Sequence, residues 1–472
     1  MKQLALGLVP SQTPLRPLLW GLTLILALSS TAKIQLSENV LSRAAAMLAI
    51  TENHRLELGP WKSLTVDWAR TPEGSYFSNK APGPILLGAV FFYPLYKAGK
   101  VFLNSLQLSD REKQKGTDIL LTTILWILSL FLQLLPMVWF VSRTLILLQE
   151  KKAPLGALVF FLVGALFSNT GAFFLNSYFG HGFSLAATLG VFYFLLQRSF
   201  SKTGFFLGLA VMGDYSCFFL IPAVGVYLFV TEFRLVFNAT GQVLKGLVFP
   251  MVLMGIYHWL CFGSPLALPQ KFQNPSMVWD TGKQALWGVI TFIPSNYTLW
   301  ELTVGSRKGI LVTQPYALML LVLLGAAFPI WGFHKKLKEN KIEMGLSLAA
   351  LLFFAGVFCM NAGFNAWWGG GTPGPRYLSA AFVPLILAGS LMWSSWPKLI
   401  RSLLLAGLGI AFVFSLLSLA VGDLPSMEPL WSFMVWKLTD SKDWVYLNLR
   451  LIFFTGIVLF SAKRTQLSFS VS

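Results

Sequence analysis

The sequence predicts an all-α, polytopic membrane protein of about twelve transmembrane helices, and three observations carry that prediction. Of 472 residues, 55% are hydrophobic and 12% charged, with a mean hydropathy of +0.66, whereas soluble domains carry about 25% charged residues. The apolar residues gather into runs of roughly 16–25, enough or nearly enough to cross a ~30 Å hydrocarbon layer as helices. The longest polar stretch, 33–116, is itself interrupted by an apolar run, so 1–472 reads as a single integral membrane domain. The excess of 36 Lys and Arg over 19 Asp and Glu, a net +17, then points to membrane lipids with anionic headgroups and to lipid phosphates, not to nucleic acid.

The elements follow in order. Lys2 and Arg16 precede the apolar run 17–32, read as an uncleaved first span in preference to a cleaved signal peptide. Further spans are expected at 118–142, 154–168, 181–197, 204–231, 244–262, 309–333, 345–362, 378–394, 401–422 and 445–461. The stretch 204–231 is too long for one upright helix and is expected to be a pair turning at Gly213-Asp214-Tyr215. The segment 84–97 is apolar but short and carries Pro94. If it lies on the membrane, the basic residues Arg143/Lys151/Lys152, Arg198/Lys202, Arg234/Lys245, Lys335-Lys336-Leu337-Lys338, Lys398/Arg401 and Lys463/Arg464 all fall on the side of Lys2. The positive-inside rule makes that side cytoplasmic. Both termini are therefore expected in the cytoplasm of a plasma membrane, with 84–97 an interfacial helix inside a long first outer loop, 33–116. The other outer segments are 169–180, a second large loop 263–308, and the Gly/Trp-rich loop 363–377.

Ionisable groups near lipid are functional candidates by default, and the acidic ones are few. Asp67 stands in the first outer loop, shortly before a Gly/Pro-punctuated turn, residues 72–84, that carries Tyr76, Ser78, Asn79 and Lys80. The plain alternative is a solvated loop. His181, between Gly180 and Gly182, has room for a ligand, or is a helix-end histidine satisfied by backbone. Asp214 either joins Asp67 near the outer face or is a buried acid with a basic partner. In Trp367-Trp368-Gly369-Gly370-Gly371-Thr372-Pro373-Gly374-Pro375-Arg376-Tyr377, freed glycine N–H groups and the Arg376 guanidinium suit a phosphate; Trp368 also fits the interfacial aromatic belt. Arg307 and Lys308 are a second phosphate contact or charges that stop a helix. Cys217, Cys261 and Cys359 are too far apart to suggest a framework and read as packing residues, and His54, His181, His258 and His334 show no metal-ligand spacing.

Taken with Lys80-Ala81-Pro82-Gly83, Gly180-His181, Gly208-Leu209-Ala210, Phe262-Gly263-Ser264-Pro265, Arg307-Lys308-Gly309 and Gly374-Pro375-Arg376-Tyr377, the chain resembles the bacterial GT-C glycosyltransferases. These are relatives of the aminoarabinose transferases and protein O-mannosyltransferases. The resemblance runs from about residue 20 to 395. It implies an inverting transfer from a polyprenyl-phosphate sugar to a lipid, glycan or protein acceptor at the outer face of a bacterial inner membrane. No cofactor is required by it, and divalent-metal dependence stays open. It further implies a catalytic carboxylate in the first outer loop, best matched by Asp67. Lys80, Arg376 and Arg307 would then stabilise the leaving lipid phosphate, with Tyr76, His181, Asp214, Lys308 and Trp368 as further substrate contacts. The paired acids of the best-known branches are missing, and Glu52 in Thr51-Glu52-Asn53-His54 is the second candidate base. No large C-terminal outer domain is expected beyond the short basic stretch 462–472. The rival classes are a lipid-linked glycan transporter or flippase and a glycan ligase. No internal repeat of the transporter kind is visible. The late loop 423–444, with Asp423, Glu428, Asp440 and Asp443, lacks the arginine and histidine pairing a ligase loop would need.

Overall fold

A computed structural model of the chain describes residues 15–31, 35–277, 290–330, 340–422, 424–425 and 428–471. Lys2, His334, the Lys335-Lys336-Leu337-Lys338 run and Asp423 lie outside the described residues.

The chain begins with α1 (Arg16–Leu28) and α2 (Glu38–Asn53), followed by an antiparallel hairpin of β1 (Trp68–Arg70) and β2 (Tyr76–Ser78). Then come α3 (Pro82–Ser105), α4 (Asp110–Ser129), α5 (Leu135–Glu150), α6 (Leu155–Leu166), α7 (Gly180–Leu196), α8 (Phe200–Gly213), α9 (Leu220–Thr231) and α10 (Val236–Phe262). The remaining helices are α11 (Asn296–Thr303), α12 (Ile310–Thr313), α13 (Pro315–Ile330), α14 (Lys341–Gly363), α15 (Ser379–Leu391), α16 (Lys398–Val421), α17 (Leu430–Thr439) and α18 (Trp444–Val471). Among the described residues, six helical stretches are long and apolar enough to cross a membrane: Pro82–Ser105, Asp110–Glu150, Phe233–Phe262, Lys341–Gly363, Lys398–Val421 and Trp444–Gln466. Shorter apolar helices stand among them. The chain is an all-α, multi-pass membrane protein.

Burial divides the helices into two kinds. In α6, α7 and α15 nearly every residue is buried, Phe160, Phe161, Phe192 and Phe382 among the largest, as expected of helices that are apolar on all sides. In α10 and α18 a wide face is exposed, carrying Phe237, Val248, Phe249, Trp259, Ile452 and Phe460; in a membrane that face meets lipid. Glycine sets the closest packing. A Cβ at Gly204 would stand 1.8 Å from the Val243 carbonyl, one at Gly246 1.8 Å from the Ser201 carbonyl, and one at Gly208 2.6 Å from Pro250. The Gly204/Gly208 spacing thus lets α8 lie backbone to backbone on α10, the small-residue contact that replaces hydrophobic driving force between helices in lipid.

Several helices run beyond their expected bounds, α10 at its start and α18 at its end among them. The span expected at 118–142 is part of a continuous 41-residue helix, Asp110–Glu150, with one π turn at Leu130–Leu134. Its start is a capping box in which Ser109 and Glu112 satisfy each other's backbone N–H groups, so polar residues that hydropathy excluded form its first turns. The helix around 84–97 likewise extends over Pro82–Ser105 and continues through Pro94. Within 204–231 the chain breaks after Gly213: Asp214 is extended (φ −153°, ψ 125°) and caps a 3-10 turn, Tyr215–Phe219, by accepting from the Ser216 N–H. The cysteines are free; Cys217 and Cys261 are buried, whereas Cys359 is exposed, so the packing role expected for all three fits only two.

Candidate active site

The hairpin sets the first part of the site. Trp68 pairs with Ser78, Ala69 with Phe77 and Arg70 with Tyr76, so Asp67, one residue before β1, stands beside Asn79 and Lys80, which follow β2. Asp67 Oδ2 and Lys80 Nζ are 2.8 Å apart. The backbone around Asp67 is pinned on every side. Its N–H donates to Thr65 Oγ1 (3.0 Å), its carbonyl accepts from Ser42 Oγ of α2 (2.5 Å), and Asn274 donates to the carbonyls of both neighbours, Val66 (2.9 Å) and Trp68 (3.0 Å). Burial works to raise the Asp67 carboxyl, but the Lys80 ammonium, its hydrogen bond and the Arg376 charge outweigh it and hold the acid below its ordinary 3.8. The same burial lowers Lys80 from 10.5, with Asp67 opposing.

Four other elements complete the site. His181, in the first turn of α7, contacts Asp214 at the end of α8, Nδ1 to Oδ2 at 2.5 Å, while Asp214 Oδ1 accepts from the Ser216 N–H at 3.0 Å. Arg43 of α2 is buried; Nη1 donates to the Asn39 carbonyl and side chain, and Nε has no partner. Burial pulls its guanidinium down to about 10, which leaves it charged at neutral pH. Arg376 precedes α15, lies over the Tyr377 ring with Nη2 bonded to the Tyr377 hydroxyl at 3.0 Å, and has an unpartnered Nε. These side chains face a cavity of about 130 Å³, lined also by Asn39, Asn79, Tyr215, Gln270, Gln273, Phe364 and Ala366. Each carboxylate has its own cation or histidine. Among the described residues neither Arg43 nor Arg376 has a carboxylate partner.

Five residues singled out in the sequence therefore meet in one cavity: Asp67, Lys80, His181, Asp214 and Arg376. The candidates Glu52, Tyr76, Arg307, Lys308 and Trp368 do not line it. Glu52 pairs with Lys97 at 3.1 Å on the surface, nine residues beyond Arg43 and so about 13 Å further along α2. Tyr76 turns to the other face of the hairpin, edge-on to Trp68 and under the Lys62 ammonium. Arg307 bonds the Tyr297 hydroxyl, and Trp368 packs edge-on against Trp367. Lys308 is neither a phosphate ligand nor a helix-stop charge. It is fully buried and donates to the carbonyls of Gly370 (2.9 Å), Thr372 (2.7 Å) and Pro425 (3.4 Å). The glycines also act differently from expectation. Gly369, Gly370 and Gly374 have φ of +70°, +73° and +101°, the left-handed region glycine enters without strain, and a Cβ at Gly369 would stand 2.9 Å from Arg376 Cγ. Gly369 makes room for the Arg376 side chain, and the N–H groups of Gly369 and Gly374 are spent on the carbonyls of Ala366 and Thr372. The room at Gly180 and Gly182 is taken by protein: a Cβ there would meet the Gly213 carbonyl at 2.3 Å and the Phe174 carbonyl at 2.4 Å.

No protein-family profile matches the chain, and no curated protein sequence does. Among solved structures it is similar to the archaeal oligosaccharyltransferase AglB from Archaeoglobus fulgidus, determined in complex with an inhibitory peptide and a dolichol-phosphate. The TM-score is 0.48 with 11% identity over 91% of this chain, which spans 59% of the length of that protein.

Arg43 and Gln270 of the lining carry no local motif. Arg43 alone had a signal, a single charge within the otherwise apolar or small run Val40–Ile50. Chemically, the cavity presents an ionised carboxylate held on one side by an ammonium, and two guanidinium groups with charge to spare. Such a pair suits a phosphate or other oxyanion, because the planar fork matches its oxygens.

Proposed function

We propose that this chain is an inverting membrane glycosyltransferase that moves a sugar from a polyprenyl-phosphate donor to an acceptor at the outer face of a bacterial inner membrane. One observation carries the reading: the charged Arg43 and Arg376, without carboxylate partners, face the same cavity as Asp67 at the ends of apolar helices. Isolated cations are costly to bury, so a site built with two of them is complete when an anion enters. A lipid phosphate supplies that anion and brings a tail soluble among the apolar helix faces.

In this reading the guanidiniums hold the donor phosphate, and Asp67 lies across from it to meet the acceptor's O–H or N–H. The acceptor atom forms the new bond at the anomeric carbon as the bond to the phosphate oxygen breaks, with inversion. The electron pair leaves on the lipid phosphate, where Arg43 and Arg376 stabilise the growing charge. Lys80 keeps Asp67 ionised, so its first role is to orient the acceptor; it accepts the proton late, when the attacking atom has become acidic.

The test uses purified protein in liposomes with radiolabelled polyprenyl-phosphate sugars. Asp67→Asn is expected to lower transfer by about 10²–10⁴-fold with lipid-phosphate binding retained, and Arg376→Met to weaken that binding. Full transfer by Asp67→Asn would remove Asp67 from the mechanism, and binding unaffected by either Arg376→Met or Arg43→Met would remove the phosphate site.

A further inference from the structure

The cavity divides by charge. Asp67 is matched by Lys80 and Asp214 by His181, so once a phosphate has met Arg43 and Arg376, the remaining lining is uncharged: Asn79, Gln270, Gln273 and the rings of Tyr215 and Tyr377. The Gln270 Oε1 atom is shielded from solvent and has no hydrogen-bond partner. A shielded amide oxygen left unpaired keeps the cost of its lost hydration, so it belongs to a site whose occupant donates to it. Gln270 is also held in register with the reacting carboxylate. It lies on a 3-10 turn, Pro269–Phe272, whose next residue, Gln273, bridges to Ala69, while Asn274 bonds the carbonyls on either side of Asp67. The hydroxyl of Tyr215, by contrast, is tied to His258 Nε2 at 2.9 Å.

Resting on the transferase reading above, we infer that the transferred sugar is a neutral hydroxyl sugar and not a protonated amino sugar, and that Gln270 reads it by accepting a hydroxyl hydrogen bond. An ammonium entering this cavity finds no unclaimed carboxylate and stands near Arg43, Lys80 and Arg376. A hydroxyl finds the Gln270 oxygen.

The experiment measures binding to purified full-length protein of four short-chain polyprenyl phosphates: sugar-free, hexosyl, 2-amino-2-deoxyhexosyl and its N-acetyl form. At pH 7 the hexosyl lipid is expected to bind more tightly than the sugar-free one, and the amino lipid at least about tenfold more weakly than the hexosyl lipid. N-acetylation, which removes the charge and adds bulk, is expected to restore affinity. Gln270→Glu, which places a carboxylate on the same turn, is expected to reverse the preference toward the amino sugar, and Gln270→Leu to reduce the hexosyl lipid to the affinity of the sugar-free one. Equal binding of hexosyl and amino lipids, or a Gln270→Leu variant that still prefers the hexosyl lipid, would overturn the inference while leaving the phosphate site standing. If the sugar-free lipid itself fails to bind, the transferase reading falls and this inference with it.

Discussion

At the scale of single residues, the decisive feature is that Asp67 is buried yet ionised. Burial alone would push its carboxyl up, and Lys80 at 2.8 Å reverses the sign. The acid therefore loses its charge only as pH falls below 3.8, and transfer is expected to show no acid limb from Asp67 above about pH 4. Replacing Lys80 by Met removes the ammonium and leaves burial in control. In the residual activity of Lys80→Met, an acid limb is expected at higher pH, read from the pH profile of the transfer rate. A profile unchanged in shape would mean that Asp67 does not titrate in the reaction. Asp67, Lys80, His181, Asp214 and Arg376 could be read from the sequence because charged and titratable groups are scarce beside apolar runs, and scarcity itself is a signal. Glu52 satisfied the same criterion and lies outside the cavity, since its position along α2 is fixed by helical rise and the local sequence around it says nothing of distance. Arg43 carries the same signal, as the lone charge in its run.

At the scale of elements, the loops of the site are held by polar contacts that hydropathy does not register. Asn274 joins the loop after α10 to both neighbours of Asp67, and no pattern in either segment announces a contact between residues so far apart in sequence. Lys308 does the same for the glycine-rich turn: its ammonium spends its donors on Gly370, Thr372 and Pro425, fixing the turn from which Arg376 reaches the cavity. Burial, with the Arg376 charge adding to it, lowers this ammonium to about 7. Lys308→Met keeps the length of the side chain and leaves carbonyls unpaired, a cost of about 1–3 kcal/mol. The variant is expected to melt a few degrees lower and to lose affinity for polyprenyl phosphate, measured by thermal unfolding and lipid binding on one preparation. Normal binding by a less stable protein would separate Lys308 from the placement of Arg376.

At the scale of the whole molecule, the placement of charge predicts which side of the membrane the cavity faces. α7 begins at His181 in the cavity and ends near Arg198, so the two lie about 25 Å apart along one helix. Arg198 pairs there with Glu232, and Lys202 begins the return of the chain toward Asp214. The continuous helix Asp110–Glu150 runs the same way. Gln133 stands against Gly182 near the cavity, Phe140 packs on Tyr193 and Phe194 at the far end of α7, and Lys151 and Lys152 follow the helix end. Arg198, Lys202, Lys151 and Lys152 thus stand at the end opposite the cavity, which the positive-inside rule predicts to be cytoplasmic. The same helix bears on the placement of α3. At about 60 Å it is twice the length of the hydrocarbon layer. Its Trp126 donates to the Ala27 carbonyl at the end of α1, so its turns before Trp126 project beyond the cavity end of the bundle. Both ends of α3 lie on that side: Pro84 accepts from the Tyr178 hydroxyl at 2.6 Å, and Gly99 and Leu103 pack against Leu120 and Gly116. Although α3 is long and apolar enough to cross, it is expected to lie along the outer surface. In intact cells a cysteine at Ser105, on a cysteine-free background, should react with a membrane-impermeant maleimide, and one at Lys202 only after permeabilisation. Protection at position 105 with labelling at 202 would overturn this placement: α3 crosses the membrane if a cysteine at the exposed Ser63, before α3, is labelled in the same cells, and the whole bundle is inverted if Ser63 is protected too.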